Sequence, residues 1–183
     1  MRLNLGSSDA HLKGFVNVDL VQPCDQVADL ALPWPWEDSS AEEILARDIF
    51  EHIGDCHSFT VSTNAMGYAE FKVRHWSGRI HVMNEAHRVL VPGGRLTMEC
   101  PDAAKGAGQW QDPTHVTPWT PNGMQYFCVD MVPPSKAWVR FHEAHGTTAK
   151  FKLLSCSERM YEEMAGSCKC QVFKFTAILE AVK

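Results

Sequence analysis

Apolar and polar positions along this chain alternate with a period of two in several short stretches and recur at helical spacing in one. Leu3 and Leu5 lead into the small-residue turn Gly6-Ser7-Ser8, and Val16 and Val18 lead into Asp19, which predicts a strand, a tight turn and a second strand. After a turn through Pro23, Val27 to Leu30 reads as a brief third strand and Glu43 to Arg47 as a fourth. Between them, Leu32-Pro-Trp-Pro-Trp-Glu-Asp-Ser-Ser40 holds two prolines, which exclude a central strand or a helix interior and make it a loop. Ile80, Met83, His87 and Leu90 lie at helical spacing, and Val91-Pro-Gly-Gly94 stops that helix sharply. Arg95 to Cys100 alternates as a fifth strand ending at Pro101-Asp102, and Thr120-Pro121 predicts a helix N-cap with proline at the first position. Phe151 to Cys156 and Gln171 to Lys183 alternate as the last two strands, suited to an antiparallel pair closing one sheet edge. Residues 54 to 78 show no sustained period, and no element is assigned there.

Composition mainly excludes. A chain of 183 residues with 45% hydrophobic content suits one domain, residues 1–183, with a substantial core. Charge is 17 minus 22, or −5, without a Lys/Arg run, so nucleic acid is not an expected partner. No run of about 18 apolar residues and no basic-then-apolar leader occurs, so a cytoplasmic protein with no membrane contact is expected. The seven cysteines are scattered and contain no C-x-x-C pair, which points to free thiols in a reducing compartment. Cys168 and Cys170 form a lone C-x-C that lacks the paired spacing of structural zinc sites, so no metal is expected.

Chemistry gathers where the predicted strands end. Without bulky side chains at Gly6, Ser7 and Ser8, backbone N–H groups can approach a carboxylate or phosphate, and Asp19 can accept from both hydroxyls of a ribose. The same stretch also reads as an ordinary strand–turn–strand with a capping Asp. Asp48, Glu51 and His52 follow the fourth strand at the edge where open α/β sheets bind ligands. The segments 54 to 78 and 103 to 119 follow strands at that edge and are expected to wall a pocket. Trp110, Trp119 and Tyr126 are either core aromatics or part of that wall.

Several separated strings agree in order with one family. Leu3-Asn-Leu-Gly6, Gly14-Phe-Val-Asn-Val-Asp19, Asp29-Leu30, Leu32-Pro-Trp-Pro35, Glu51-His52, Arg88-Val-Leu-Val-Pro-Gly-Gly-Arg-Leu96, Pro101-Asp102 and Asp112-Pro-Thr-His115 make residues 2 to 130 resemble the class I S-adenosylmethionine-dependent methyltransferases. The likeness is strongest to small bacterial and phage-type members of the methyltransferase-11-like group. It implies a Rossmann-like α/β fold, a mostly parallel seven-stranded sheet with an antiparallel C-terminal strand. Only residues 7 to 18 separate Gly6 from Asp19, so the N-terminal helices should be shortened. The family turn usually has a second glycine where this chain has Ser8. If that backbone needs φ > 0, serine costs on the order of 1–2 kcal/mol.

The resemblance implies S-adenosylmethionine as cofactor and methyl transfer to a small-molecule or saccharide-like acceptor. Leu5, Gly6, Ser7 and Ser8 would meet the cofactor carboxylate, Asp19 the ribose and Asp29 the adenine amino group. Leu20 and Leu30 would flank the ring, and carbonyls near Arg47 and Asp48 would accept from the cofactor's amino group. His115 is the leading base, with Asp112, His52 and Glu51 able to orient it or serve instead. Glu51-His52 also reads as purely structural, and Asp112-Pro-Thr-His115 as an Asx-type turn. Three rival functions stand beside this one: a nicotinamide oxidoreductase, which would want the later glycines that Gly6-Ser-Ser-Asp-Ala-His11 lacks; a cofactor-binding protein without catalysis; and a methyltransferase acting on a macromolecule.

Overall fold

A computed structural model of the protein describes residues 1–63, 66–67, 69–130, 143–165 and 168–183. Among the described residues nine strands carry the fold: β1 (Arg2–Leu5), β2 (Val16–Asp19), β3 (Gln26–Val27), β4 (Ala41–Arg47), β5 (Cys56–Thr63), β6 (Ala69–Trp76), β7 (Leu90–Pro101), β8 (Phe151–Ala165) and β9 (Cys168–Ala181). Seven form one sheet in the order β3-β2-β1-β4-β7-β9-β8, and β5 and β6 form a separate antiparallel hairpin where no element was assigned. Neighbours from β3 through β7 pair in parallel, and β9 alone runs against both its neighbours. The order reverses between β1 and β4, so loops leaving those strands diverge and open a crevice at their carboxyl ends. Leu3, Leu5, Ile44, Leu96, Met98 and Phe175 are fully buried in the sheet's core.

Helix α1 (Gly78–Val89) forms where the spacing predicts one, but the face it turns into that core is Val82, Met83, Ala86 and Val89. Of the predicted positions only Met83 is on it; Ile80 and His87 are half-buried, and Leu90 already belongs to β7. It hands directly to β7 at Leu90, so the Pro-Gly-Gly segment lies within the strand's irregular start rather than in a separate stop. A short α2 (Ala107–Trp110) packs on β9, where a Cβ on Gly108 would sit 2.6 Å from Val172 Cγ1. In α3 (Pro121–Gln125) the Thr120 side chain accepts from the Gly123 N–H at 2.9 Å, the expected cap.

Two sequence expectations change. The third strand ends at Val27, because the Asp29 carboxylate accepts from the Ala31 N–H at 2.9 Å and closes an Asx turn that competes with the ladder. The N-terminal helices are not merely short: among the described residues no helix lies between β1 and β4. Side-chain networks hold those connections instead. Asn4 and Asn17, paired in register on β1 and β2, are joined amide to carbonyl at 3.0 Å. Asn4 also donates to the Ala10 carbonyl, while Asn17 donates to Asp25 at 2.7 Å and accepts from the Leu12 N–H. The Asn17 backbone N–H, and then its side chain, hold the Asp25 carboxyl below the ordinary carboxylate range. Between β3 and β4 the loop's Trp34 and Trp36 are buried edge to face at 5.7 Å, each worth on the order of 4 kcal/mol of apolar burial. Arg88 of α1 locks that loop, donating to the Trp34 and Trp36 carbonyls, to Asp38 and to both oxygens of Glu85. Glu85 in turn accepts from the Trp34 N–H at 2.7 Å.

His87 gives the fold a pH dependence of known sign. Its Nε2 donates to the Val182 carbonyl at 2.8 Å and its ring stands edge-on to Phe151. Burial, with Lys183 and Lys150 adding to it, pushes the imidazolium pKa below the usual value against the opposing effect of Val182. The unfolded chain therefore binds the proton more readily than the folded one. The contribution is fully present above about pH 6.5 and is lost as pH falls through the lower folded value. Urea midpoints at about pH 7.5 and about pH 5 should fall less on acidification in His87→Gln than in the wild type. An equal fall in both would remove His87 as the cause.

Candidate functional site

Two groups of residues meet along the carboxyl ends of β1, β2, β4 and β7. The first is the turn after β1. Gly6 has φ +63°, and a Cβ there would lie 2.7 Å from Ile49 Cβ, so the turn closes directly on the segment leaving β4. Ser8 has φ +40°, the left-handed backbone at which serine is strained. The Ser7 N–H donates to the Val18 carbonyl at 3.0 Å, and the Ser8 N–H to Asp19 Oδ2 at 2.8 Å. Asp19 Oδ1 accepts from the Leu20 N–H at 2.7 Å. The carboxylate is thus oriented by backbone donors on both oxygens, Oδ1 accepting also from the Val21 N–H at 3.4 Å, and Oδ2 keeps a further lone pair for a ligand hydroxyl.

The second group lies where the 3₁₀ turn Phe50–His52 meets the loop after β7. Glu51 is fully buried, and its carboxylate oxygens make no well-formed hydrogen bond among the described residues, the Cys100 thiol and the Glu51 backbone N–H being the donors that face them. Burial pushes its carboxyl up to about 7, Asp48 pushes the same way, and the Cys100 thiol and Lys174 offset part of the rise. The loop 103–119 is tied to this turn by the Thr117 N–H to the Glu51 carbonyl at 2.9 Å and the Thr117 hydroxyl to the Ile53 carbonyl. That tie sets His115 against His52, ring centroids 4.7 Å apart. His52 Nδ1 donates to the Thr114 carbonyl at 3.2 Å, and His115 Nδ1 to the Gly108 carbonyl at 2.9 Å. A carbonyl can only accept, so both rings carry their proton on Nδ1 and keep the Nε2 lone pair. Asp112 Oδ2 lies 3.7 Å from His115 Nε2, while Asp112 Oδ1 accepts from the Thr114 hydroxyl at 2.6 Å. Those bonds from Thr114 hold the Asp112 carboxyl below the usual range, with the nearby imidazoles acting in the same direction.

The expected residues fall into place unevenly. Gly6, Ser7, Ser8 and Asp19 form one cluster, and Glu51, His52, Asp112 and His115 the other. Leu5 is buried in β1 and offers only backbone to the crevice. Leu20 is 62% exposed beside Asp19, whereas Leu30 is buried under Trp34, whose indole N–H donates to its carbonyl. Asp29 is exposed and partly engaged by its own turn. Arg47 is exposed at the end of β4, and Asp48, at φ +50°, pairs with Lys174 at 2.8 Å. Trp119 is core. Trp110 is exposed, its indole donating to the Ala103 carbonyl, and Tyr126 lines a cleft of about 390 Å³ with Arg79 and Phe127. Thr114, the tie through Thr117 and the Asn4–Asn17–Asp25 network were not anticipated. Their one signal was an Asn centred in each of two apolar strands. Cys24, Cys100, Cys128 and Cys156 are free thiols, and the Cys170 sulfur contacts Gln111 Oε1 at 3.2 Å; the side chains of Cys56 and Cys168 lie outside the described residues. No helix among the described residues is long and apolar enough to cross a membrane.

No family model matches this sequence, and no curated protein does. Solved structures do. A SAM-dependent methyltransferase from Methanosarcina mazei aligns with TM-score 0.52 at 12% identity, covering 99% of this chain and 92% of its own. The chain has the Rossmann-like class I methyltransferase fold. On the same fold, a Burkholderia thailandensis 1,6-didemethyltoxoflavin-N1-methyltransferase with bound S-adenosylhomocysteine aligns with TM-score 0.50 at 10% identity, covering 100% of this chain and 71% of its own. The [4+2]-cyclase SpnF aligns with TM-score 0.55 at 10% identity, covering 99% and 74%. The methyltransferase fold thus accommodates this chain end to end and carries more than one chemistry, so function rests on the site.

Proposed function

We propose that the protein binds S-adenosylmethionine at the Gly6 turn and Asp19 and transfers its methyl group to a small hydroxyl-bearing acceptor at Glu51, His52 and His115. The observation that carries this reading is continuity. Residues 47–52 touch the turn through Ile49 and Gly6 and, two residues on, present Glu51-His52 to His115. One short segment thereby joins a nucleoside-binding edge to a cluster of proton acceptors. Asp19 suits the ribose, since its preset oxygens lose no freedom on binding. Asp29, with one oxygen engaged, accepts from the adenine amino group, Leu20 covers the ring, and the Arg47 and Asp48 carbonyls accept from the amino-acid end. The bound cofactor supplies a sulfonium methyl; the protein positions the hydroxyl in line with it and takes up the hydroxyl proton. Asp19, Asp29 and Asp112 are accessible along this edge against Arg47, while Lys174 neutralises Asp48 and Asp102 is buried; no basic track results, which favours a small acceptor over a nucleic acid.

Calorimetry with S-adenosylmethionine and S-adenosylhomocysteine tests the cofactor assignment. The wild type should bind both, and Asp19→Ala should weaken both by about 1–3 kcal/mol, the scale for hydrogen bonds to a charged group. No binding by the wild type, or undiminished binding by the variant, overturns it. A cofactor-binding protein without catalysis is the second reading, favoured by strained Ser8 and the missing helices; it predicts binding without S-adenosylhomocysteine release in an acceptor screen.

A further inference from the structure

We propose that Glu51, His52 and His115 form a site for a divalent transition-metal ion. Each offers one donor atom, and the three donors lie within 4.8 Å of one another. Two further observations point to a cation. Glu51 is fully buried, and its oxygens face only the weakly donating Cys100 thiol and its own backbone N–H without a well-formed hydrogen bond, an arrangement costly for a carboxylate unless a cation or strong donor completes it. Both imidazoles are already in the tautomer a metal takes, because Nδ1–H is given to the Thr114 and Gly108 carbonyls and Nε2 keeps its lone pair. Fixing a ligating histidine through its other nitrogen is the usual outer-shell arrangement of metal sites.

Two imidazole nitrogens and one carboxylate oxygen suit Zn²⁺, Fe²⁺, Co²⁺ or Mn²⁺ better than Mg²⁺ or Ca²⁺, which prefer oxygen donors throughout. Three protein donors leave coordination positions open, as catalytic rather than structural sites do. The absence of metal expected from the sequence rested on cysteine spacing, whereas this donor set is split between residues 51–52 and 115. Resting on the methyl-transfer reading, an open position takes the acceptor's hydroxyl oxygen, whose proton becomes easier to remove there. With their lone pairs on the ion, Glu51, His52 and His115 hold the oxygen instead of taking its proton; that proton passes to Asp112, the oxygen–methyl bond forms as the methyl–sulfur bond breaks, and its electron pair stays on sulfur, leaving a neutral thioether.

The test is cobalt titration of the full chain after chelator treatment, followed by the visible ligand-field spectrum and then displacement by Zn²⁺. One cobalt per chain is expected. Glu51→Gln and His115→Ala should each weaken uptake by more than the roughly 10–100-fold cost of disturbing an outer-shell partner. Because Glu51→Gln changes a buried group, circular dichroism checks its fold, and His52→Ala, at a partly exposed position, provides an independent second variant. Asp19→Ala should take up cobalt like the wild type. No uptake by the wild type, or undiminished uptake in folded His52→Ala and His115→Ala, overturns the site. S-adenosylhomocysteine binding is measured on the same chelated protein. Loss of cobalt uptake with cofactor binding intact counts against the metal alone, and the converse counts against the methyl-transfer reading alone.

Discussion

Gly6→Ala is expected to destabilise the protein by about 2–5 kcal/mol and to abolish measurable cofactor binding. Two costs add. At φ +63° an alanine occupies left-handed backbone, about 1–2 kcal/mol. Its Cβ would also lie 2.7, 2.8 and 2.9 Å from three carbons of Ile49, an overpacking of about 1–3 kcal/mol. Ile49 sits between Asp48 and Phe50, and Phe50 is fully buried, so the clash is relieved by moving the turn or the end of β4. Either movement displaces the Ser8 N–H from Asp19 or shifts Glu51-His52. A double-mutant cycle separates the costs: Ile49→Gly, which removes Cβ along with Cγ1 and Cδ1, should restore the packing part and leave the backbone part. Urea midpoints and calorimetry provide the measurements. Wild-type stability and affinity in Gly6→Ala would show that this turn is not closed on Ile49 as described.

What the sequence revealed follows from how local each signal is. β1, β2, β4 and β7 were legible because their apolar residues alternate or run into burial on a sheet with a covered face, and α1 because Ile80, Met83 and His87 recur at helical spacing, although its buried face is Val82, Met83, Ala86 and Val89. β8 runs to Ala165, well past Cys156, and its outer half was not visible: Cys156 to Met160 are exposed on both faces, so no apolar period marks them. The hairpin β5–β6 forms a sheet of its own in the segment 54 to 78, whose sequence shows no sustained period. β3 was overestimated because Asp29 closes its own turn, a choice between two local hydrogen-bond schemes that periodicity does not see. At the site, the candidate residue types were all named, yet the convergence of His52 with His115 depends on Thr117 reaching the Glu51 and Ile53 carbonyls, a contact between distant segments. The missing helices were inferred only as shortened, because the Asn4–Asn17–Asp25 network that makes them dispensable needs strand register to be recognised.

His115→Ala is expected to lower turnover by about 10²–10⁴ while leaving affinity for S-adenosylhomocysteine nearly unchanged. The asymmetry comes from where the ring lies. Its Nδ1–H is bound to Gly108 of α2, its ring meets His52 at a steep angle, and its Nε2 lies 3.7 Å from Asp112; none of these partners is a residue assigned to the cofactor. Removing it takes away one of the two Nε2 lone pairs on the acceptor side but none of the groups assigned to the cofactor. A purely structural histidine predicts the opposite pattern, a lower melting temperature and weaker cofactor binding with turnover per folded molecule preserved. His115→Asn sharpens the comparison, since its amide can still donate to the Gly108 carbonyl while the Nε2 lone pair is gone. It should keep near-wild-type stability and lose turnover like the alanine variant. The measurement needs an acceptor, found first by screening small hydroxyl compounds for S-adenosylhomocysteine release; then kcat, cofactor affinity and melting temperature are compared across the three proteins. Full activity in His115→Asn would take Nε2 out of the reaction and transfer activation of the acceptor to His52 and Glu51.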